Sequence, residues 1–169
     1  MIQIRKATAA VLAFLLLAAF MLSACGGASY RTDLSAYQLA DAVMQDPSTP
    51  SEDGFKTADT RFVSLYLGLT LEEGSYRIYL TNSSVQYDEI GFFKCADEKA
   101  AKDLAASIGV YLSAKKESDI PTAKGYAPGE VPKLENASCK VYGVYVIYTV
   151  LSVSDARAVE QAAEQALRQ

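Results

Sequence analysis

Few of the 169 residues belong to the types that carry out chemistry in proteins. The chain has no histidine, which excludes the commonest general base at neutral pH and the commonest protein ligand of zinc. Its three cysteines are Cys25, Cys95 and Cys139, and none of them belongs to a Cys-x-x-Cys pair. Zinc-site and thioredoxin-like functions, which depend on such pairs, are therefore excluded.

Four acidic residues stand close together in the middle of the chain, at Asp88, Glu89, Asp97 and Glu98. Paired carboxylates could act as acid and base or hold a metal ion. Their positions have a simpler explanation, because Asp97 and Glu98 begin a predicted helix while Asp88 and Glu89 precede a predicted strand. We therefore predict no catalytic pair, no metal site and no cofactor.

Tyrosine is the most suggestive residue type, with 11 copies in the chain. Four that fall on or beside predicted strands are candidate ligand-binding residues: Tyr76, Tyr79, Tyr142 and Tyr148. An exposed sheet face that carries rings and hydroxyls could stack on sugars or hold a peptide. The alternative is that tyrosine simply favours strands and covers a half-buried sheet. Tyr145 would face the side opposite to Tyr148, so the spacing does not require one continuous platform.

The first 24 residues have the three parts of an export signal. Arg5 and Lys6 are basic, and the apolar run of 15 residues at 7–21 is short for a membrane-spanning helix, which needs roughly 20. Leu22-Ser23-Ala24-Cys25 follows, and this segment resembles the lipobox of bacterial lipoprotein precursors. The resemblance implies cleavage between Ala24 and Cys25 and attachment of a diacylglyceryl group to the Cys25 thiol.

A diacylglyceryl group on Cys25 would place the mature protein on the outer face of a cell membrane. Two acyl chains hold a protein durably, whereas one chain holds it only marginally. Residues 25–32 are predicted to form a flexible tether, because Gly26-Gly27-Ala28-Ser29 follows the anchor. The alternative is an uncleaved membrane helix with an incidental cysteine, and the length and flanks of the segment argue against it.

Composition sets limits on the mature chain. Residues 1–24 carry two basic and no acidic residues, so their removal leaves 145 residues and changes the net charge from −4 to −6. This length suits a single domain, predicted over residues 33–169. An acidic domain is repelled by nucleic acid, so no nucleic-acid partner is predicted.

Hydrophobic periodicity predicts the element order α-α-β-β-α-β-β-α. Apolar residues recur with helical spacing in four segments, at 36–44, 62–69, 97–116 and 153–167. Alternating or continuous apolar runs predict four strands, near 76–80, 90–95, 137–141 and 144–151. Loops are predicted at 46–54 and 121–132, a hairpin turn at Tyr142-Gly143, and a capping box from Ser152 to Asp155. The repeated β-β-α unit indicates an α+β domain in two layers, with about four mainly antiparallel strands covered on one face by helices.

The order of several short segments also resembles a known domain family. The segments that carry the likeness are 88–97, 126–130, 134–137 and 142–146, and the likeness covers about residues 34–167. They are similar to an uncharacterised lipoprotein domain that is common in clostridia and their relatives and is known only as a domain of unknown function. The resemblance implies a Gram-positive envelope lipoprotein and assigns no activity to any residue.

Three functions remain open for such a chain. The first is a non-enzymatic binding or scaffold module with an envelope protein, peptide or glycan as its partner. The second is an envelope-polymer hydrolase that uses carboxylates, which a carboxylate cluster converging in a cleft would favour. The third is a small solute-binding lipoprotein, for which 145 residues are few. We favour the first, because the tether, the tyrosines and the lack of catalytic machinery agree with it.

Cys95 and Cys139 both lie on predicted strands of an exported domain, where a disulfide is permitted. A bridge would require neighbouring strands, because the two Cα atoms must approach within about 7 Å. Free cysteine is often a small buried hydrophobic residue. We predict two buried thiols and no disulfide.

Overall fold

The computed structural model describes residues 29–168, so Ala24 and Cys25, the predicted cleavage and lipidation positions, lie outside the described residues. The helices are α1 (Ala36–Met44), α2 (Thr60–Tyr66), α3 (Glu98–Tyr126), α4 (Val131–Glu135) and α5 (Val153–Leu167). The strands are β1 (Phe55–Thr57), β2 (Tyr76–Thr81), β3 (Glu89–Lys94), β4 (Ser138–Tyr142) and β5 (Tyr145–Val150). Short 3-10 turns stand at Glu52–Gly54 and Pro128–Glu130.

The strands form one open sheet in the order β1-β2-β3-β5-β4, and every neighbouring pair is antiparallel. β3 and β5 lie in the centre and are buried over almost their whole length. Successive side chains of a strand point to opposite faces, so Phe92 and Phe93 belong to different sides of the sheet. The α+β class and the antiparallel sheet predicted from the sequence are confirmed.

The sheet has a fifth strand, β1, in addition to the four that were predicted. β1 has only three residues and pairs with β2 at the edge of the sheet, with Phe55 opposite Thr81. Most of its side chains are exposed, so the segment has no apolar alternation. A strand this short is defined by its backbone pairing with β2, which periodicity cannot detect.

Helices cover both faces of the sheet, whereas the sequence predicted cover on one face. α1 and α5 pack on the face that carries Phe92 and Ile147, hereafter the α1–α5 face. α2, α3 and α4 pack on the face that carries Phe93 and Val146, hereafter the α3 face. The central strands are apolar at successive positions, so both of their sides must be kept from water. The predicted two layers are therefore corrected to three.

α3 is longer than predicted, because it continues through Pro121 to Tyr126. The loop predicted at 121–132 is therefore wrong, and this segment contains the end of α3, a 3-10 turn and the start of α4. Pro121 lacks a backbone N–H and weakens the helix. Burial of Ala123 and Leu134, both 0% exposed, offsets that cost. Within residues 29–168, neither α3 nor any other helix is long and apolar enough to cross a membrane.

Several local predictions are confirmed. Ser152 Oγ accepts a hydrogen bond from the backbone N–H of Asp155 at 3.2 Å and caps α5. Asp97 caps α3 in the same way, with its Oδ1 2.7 Å from the backbone nitrogen of Ala100. Gly143 has a φ of +59° in the β4–β5 turn, a left-handed conformation that favours glycine. These features depend on residues close in sequence.

The first described residues are attached to the end of the chain. Tyr30 forms an antiparallel bridge with Arg168, and the backbone N–H of Arg31 donates to Leu167 O at 2.9 Å. Tyr145 Oη donates to Leu34 O at 2.8 Å. Residues 30–31, which were predicted as part of the tether, are therefore held against the domain.

Candidate functional site

The four tyrosines predicted as ligand-binding residues are all buried. Their exposed fractions are 7% for Tyr76, 1% for Tyr79, 7% for Tyr142 and 0% for Tyr148. Tyr79 and Tyr142 belong to the core of the α1–α5 face, whereas Tyr76 and Tyr148 belong to the core of the α3 face. These residues do not form the exposed aromatic face on which the binding prediction depended, because each side of the sheet is covered by helices.

Tyr148 belongs to a buried polar cluster on the α3 face. Glu89 Oε1 lies 2.9 Å from Lys115 Nζ, and Glu89 Oε2 accepts hydrogen bonds from Tyr111 Oη at 2.8 Å and from Tyr148 Oη at 3.3 Å. Lys115 Nζ also lies 3.0 Å from Asp119 Oδ2. These five residues are named the Glu89 cluster. Three donors on one carboxylate satisfy a charge that would otherwise be costly to bury.

Burial and charge shift the proton equilibria of the Glu89 cluster. Burial, assisted by the negative charge of Glu89, raises the pKa of Tyr111 and of Tyr148 well above the ordinary value. Burial alone would lower the pKa of Lys115, but attraction to Glu89 and Asp119 outweighs it, so the pKa is raised. At neutral pH both phenols are protonated and the lysine is charged. The phenols therefore supply no base, and Lys115 supplies no neutral amine nucleophile.

The Glu89 cluster depends on Gly91 in the middle of β3. Gly91 lies opposite Tyr148 in the pairing of β3 with β5. A Cβ atom on Gly91 would lie 2.1 Å from Tyr148 Cε1, which is far inside van der Waals contact. The bare backbone at this position creates the space in which the Tyr148 ring stacks on Phe93, with centroids 6.1 Å apart. The glycine therefore allows the Tyr148 hydroxyl to reach Glu89.

A second ionic cluster ties the residues before β3 to α4. Lys133 Nζ lies 2.8 Å from Asp88 Oδ1 and 3.0 Å from Glu130 Oε1. These three residues are named the Lys133 cluster. Glu130 Oε2 also accepts a hydrogen bond from the backbone N–H of Tyr87 at 3.1 Å. Burial raises the pKa of Asp88, although the hydrogen bond from Lys133 acts in the opposite direction. Together these bonds join two segments, 87–88 and 130–133, that are distant in sequence.

The sequence correctly predicted that Asp88 precedes a strand and that Glu89 lies at its entrance. It did not reveal the lysine partner of either residue. Lys133 is 45 positions from Asp88, and Lys115 is 26 positions from Glu89. A partial signal existed, because Tyr111, Lys115 and Asp119 recur every four residues and so share one face of α3. Each carboxylate is bonded to a lysine, so the arrangement fastens helices to the sheet. Within residues 29–168, no group of three or more Cys, Asp or Glu side chains could hold a metal ion.

Large apolar side chains remain exposed on α2. Leu65 is 69% exposed and Tyr66 is 64% exposed, and the Tyr66 ring stacks on Phe62 with centroids 5.1 Å apart. Two open grooves of about 540 and 550 Å³ run along the sides of α2, and they reach Tyr76 and Leu80 respectively. Leu65, Tyr66 and these grooves are named the α2 surface.

A further hollow of about 370 Å³ lies on the α3 face close to the β4–β5 turn, because Cys95 in its wall donates its backbone N–H to Val144 O. Its wall is mostly apolar and includes Leu71, Phe93, Cys95, Ala100 and Leu104. Burial raises the pKa of Cys95, which is therefore a neutral thiol at physiological pH. This hollow is named the Cys95 cavity.

The two described cysteines are separate thiols, and both are half-buried rather than buried as the sequence predicted. Cys95 follows β3, and its backbone N–H donates to Val144 O at 2.9 Å, whereas Cys139 lies on β4 opposite Tyr148. β5 lies between β3 and β4, which alone separates the two backbones by about 10 Å. A disulfide requires Cα atoms within about 7 Å, so this strand order keeps the thiols apart.

The family model described as "Domain of unknown function (DUF4358)" matches residues 55–151. The match covers more than half of the chain, from β1 to the end of β5, so the chain belongs to this family of uncharacterised domains. The predicted resemblance to a domain family of unknown function is confirmed. No curated protein and no solved structure matches the chain. The matched range contains the whole sheet and the three helices of the α3 face, but neither α1 nor α5.

Proposed function

We propose that this chain is a lipid-anchored protein on the outer face of a cell membrane, and that its domain is a non-enzymatic module that binds an envelope protein through the α2 surface. The observation that carries the proposal is the exposure of Leu65 and Tyr66 between two grooves. Contiguous apolar side chains exposed on a soluble domain mark sites of interaction.

The attachment of the tether is compatible with this use of α2. Cys25 precedes Tyr30 by five positions, a stretch that spans at most about 17 Å. Tyr30 contacts Tyr142 on the α1–α5 side, with ring centroids 5.5 Å apart. α2 packs on the opposite face of the sheet. A membrane close to Tyr30 therefore leaves the α2 surface accessible.

The chemistry of the α2 surface favours a protein segment over a glycan. Leucine and tyrosine side chains are apolar and aromatic anchors of the kind that form the centres of protein interfaces. Leu65 offers no hydrogen-bonding group to a sugar, whereas the grooves beside it offer apolar walls at Leu69, Leu71 and Leu80. A partner with one or two apolar side chains would fill these grooves.

The anchor is tested by labelling cells with a fatty acid analogue. Wild-type protein should take up the label, and Cys25→Ala should take up none and keep the mass of the precursor. Because Cys25 lies before the described domain, the substitution leaves the fold in place. Export of an unlabelled wild-type protein would contradict the anchor.

The binding site is tested with a photo-reactive phenylalanine in place of Tyr66. Tyr126 is the matched control, because it is also an exposed tyrosine, at 88%, and lies at the end of α3. Irradiation of intact cells should give an adduct of one defined mass from position 66 and none from position 126. Leu65→Glu in the same chain should remove that adduct. Equal adducts at both positions, or an adduct that survives Leu65→Glu, would overturn the assignment to the α2 surface.

A further inference from the structure

We infer that the Cys95 cavity receives one of the acyl chains attached to Cys25. This inference rests on the proposed lipid anchor and adds to it a site within the domain for part of that anchor. The domain would then hold one acyl chain while the other remains in the bilayer.

The size and lining of the Cys95 cavity suit an acyl chain. Its volume of about 370 Å³ is more than twice the roughly 150 Å³ that accommodates a benzene-sized guest in a protein interior. Leu71, Phe93 and Leu104 give it apolar walls, which favour a hydrocarbon over water. Lys94 also borders the cavity, but strand alternation turns its side chain toward the α1–α5 face. The lysine charge is therefore turned away from the acyl chain, and the other charged residue of the lining, Glu72, is exposed to solvent.

The position of the cavity matches the place where the tether meets the domain. Val144 O accepts the backbone N–H of Cys95 at 2.9 Å, so the cavity wall touches the β4–β5 turn. The preceding Gly143 lies beside Tyr30, since a Cβ on it would lie 3.5 Å from Tyr30 Cβ. Cys25 lies at most about 17 Å of extended chain before Tyr30. An acyl chain that starts from Cys25 can therefore pass over the strand ends into the cavity.

The acyl chain of Cys25 is favoured over a chain from a membrane lipid because it is covalently linked. A short covalent link gives a ligand an effective concentration in the millimolar range. Occupation of the cavity also has a consequence for anchoring. One acyl chain left in the bilayer holds a protein only marginally. The cavity would thus set how firmly the protein is held on the membrane.

The test measures how fast a thiol reagent alkylates Cys95 in isolated native membranes, with peptide mass spectrometry as the readout. Wild type is compared with Cys25→Ala, which keeps its apolar segment 7–21 but lacks the acyl chains. Cys139 is the internal control, because it is a partly buried thiol away from the cavity, with a pKa raised by burial to about 11. In wild type, Cys95 should react about tenfold more slowly than in Cys25→Ala, as expected for a cavity filled about nine-tenths of the time. Cys139 should react equally in both proteins.

Each other outcome overturns the inference in a recognisable way. Fast alkylation of Cys95 in both proteins would show that the cavity is open. Slow alkylation of Cys95 in both would assign the protection to bilayer lipid or to the fold itself. The mass of the Cys25 peptide is read in the same experiment. A Cys25 peptide without lipid would contradict the proposed anchor. A lipidated Cys25 peptide together with an unprotected Cys95 would contradict only the assignment of the acyl chain to the cavity.

Discussion

The two faces of the sheet are covered by helices of different kinds. On the α1–α5 face, the helices contribute aliphatic residues such as Leu39, Val43 and Val159, each 0% exposed. On the α3 face, aliphatic residues share the interface with the Glu89 cluster, and α2 leaves Leu65 and Tyr66 exposed. One face is a mainly apolar core that also holds the Arg77 guanidinium over the Tyr37 ring, and the other combines buried ion pairs with open apolar grooves.

This difference separates the face that packs as a core from the face to which both proposals belong. The family match over residues 55–151 contains α2, α3 and α4 and stops before α5. The features that could recognise a partner or a lipid, the α2 surface and the Cys95 cavity, belong to this matched part. The α1–α5 face supplies the cover that the central strands need, and Tyr30 packs against its core.

The largest expected effect comes from breaking the Glu89 cluster. Glu89→Gln should lower the free energy of unfolding by about 3 kcal/mol. This value is at the low end of the cost of breaking a buried ion pair, because Asp119 would still be paired with Lys115. The control on the other face is Glu160→Gln, whose partner Lys140 is 50% exposed. That change should cost about 1 kcal/mol or less. Urea unfolding followed by circular dichroism measures both, and equal losses would contradict the difference between the faces.

The next effect comes from filling the space beside Tyr148. Gly91→Ala should lower the free energy of unfolding by about 1–3 kcal/mol, because its Cβ would overlap the fully buried Tyr148 ring. Gly109→Ala is the control, since nothing lies within 4 Å of its Cβ position on α3. That helical substitution should raise the stability by up to about 1 kcal/mol. Differential scanning calorimetry would show opposite shifts in Tm, and a neutral Gly91→Ala would refute the packing argument.

The phenols of the Glu89 cluster make stability depend on alkaline pH. Tyr111 and Tyr148 have raised pKa values in the folded state relative to the ordinary value of 10.0. Such groups contribute stability that is fully present below the unfolded pKa and is lost as the pH rises above it. Each phenol therefore lowers stability by at most about 1.4 kcal/mol per pH unit above that value. Urea midpoints measured in this range should fall less steeply in Tyr148→Phe than in wild type. An unchanged slope would show that Tyr148 ionises in the folded protein.

The smallest effect on stability is expected at the α2 surface. Leu65→Ala should change the free energy of unfolding by less than about 0.5 kcal/mol, because the side chain is 69% exposed. Val63→Ala on the same helix, where the side chain is 2% exposed, should cost roughly 2 kcal/mol. Denaturant unfolding compares the two. A large loss in Leu65→Ala would assign Leu65 to packing and weaken the proposed binding role.

Local features of the fold were predictable because their determinants lie close together in sequence. The Ser152 cap, the Gly143 turn and the apolar stripes of α1 and α5 each depend on residues a few positions apart. β1 was not predicted, because its three mostly exposed residues show no apolar periodicity. The predicted α3 ended too early, because Pro121 is typical of a helix end. The packing of Ala123, which lies beyond Pro121 and continues the helix, is a tertiary contact that the sequence does not reveal.

The sequence by itself determined the class of the domain, the antiparallel strands and the exclusion of histidine and paired-cysteine chemistry, since these follow from composition and short-range periodicity. Only the tertiary structure decided that helices cover both faces, that the candidate tyrosines are buried and that Glu89 meets Tyr111, Lys115 and Tyr148. The physical reason is that burial and ion pairing depend on which elements pack together. Contacts such as Glu89–Tyr148, which are 59 positions apart, form only when the whole sheet and its helices are assembled.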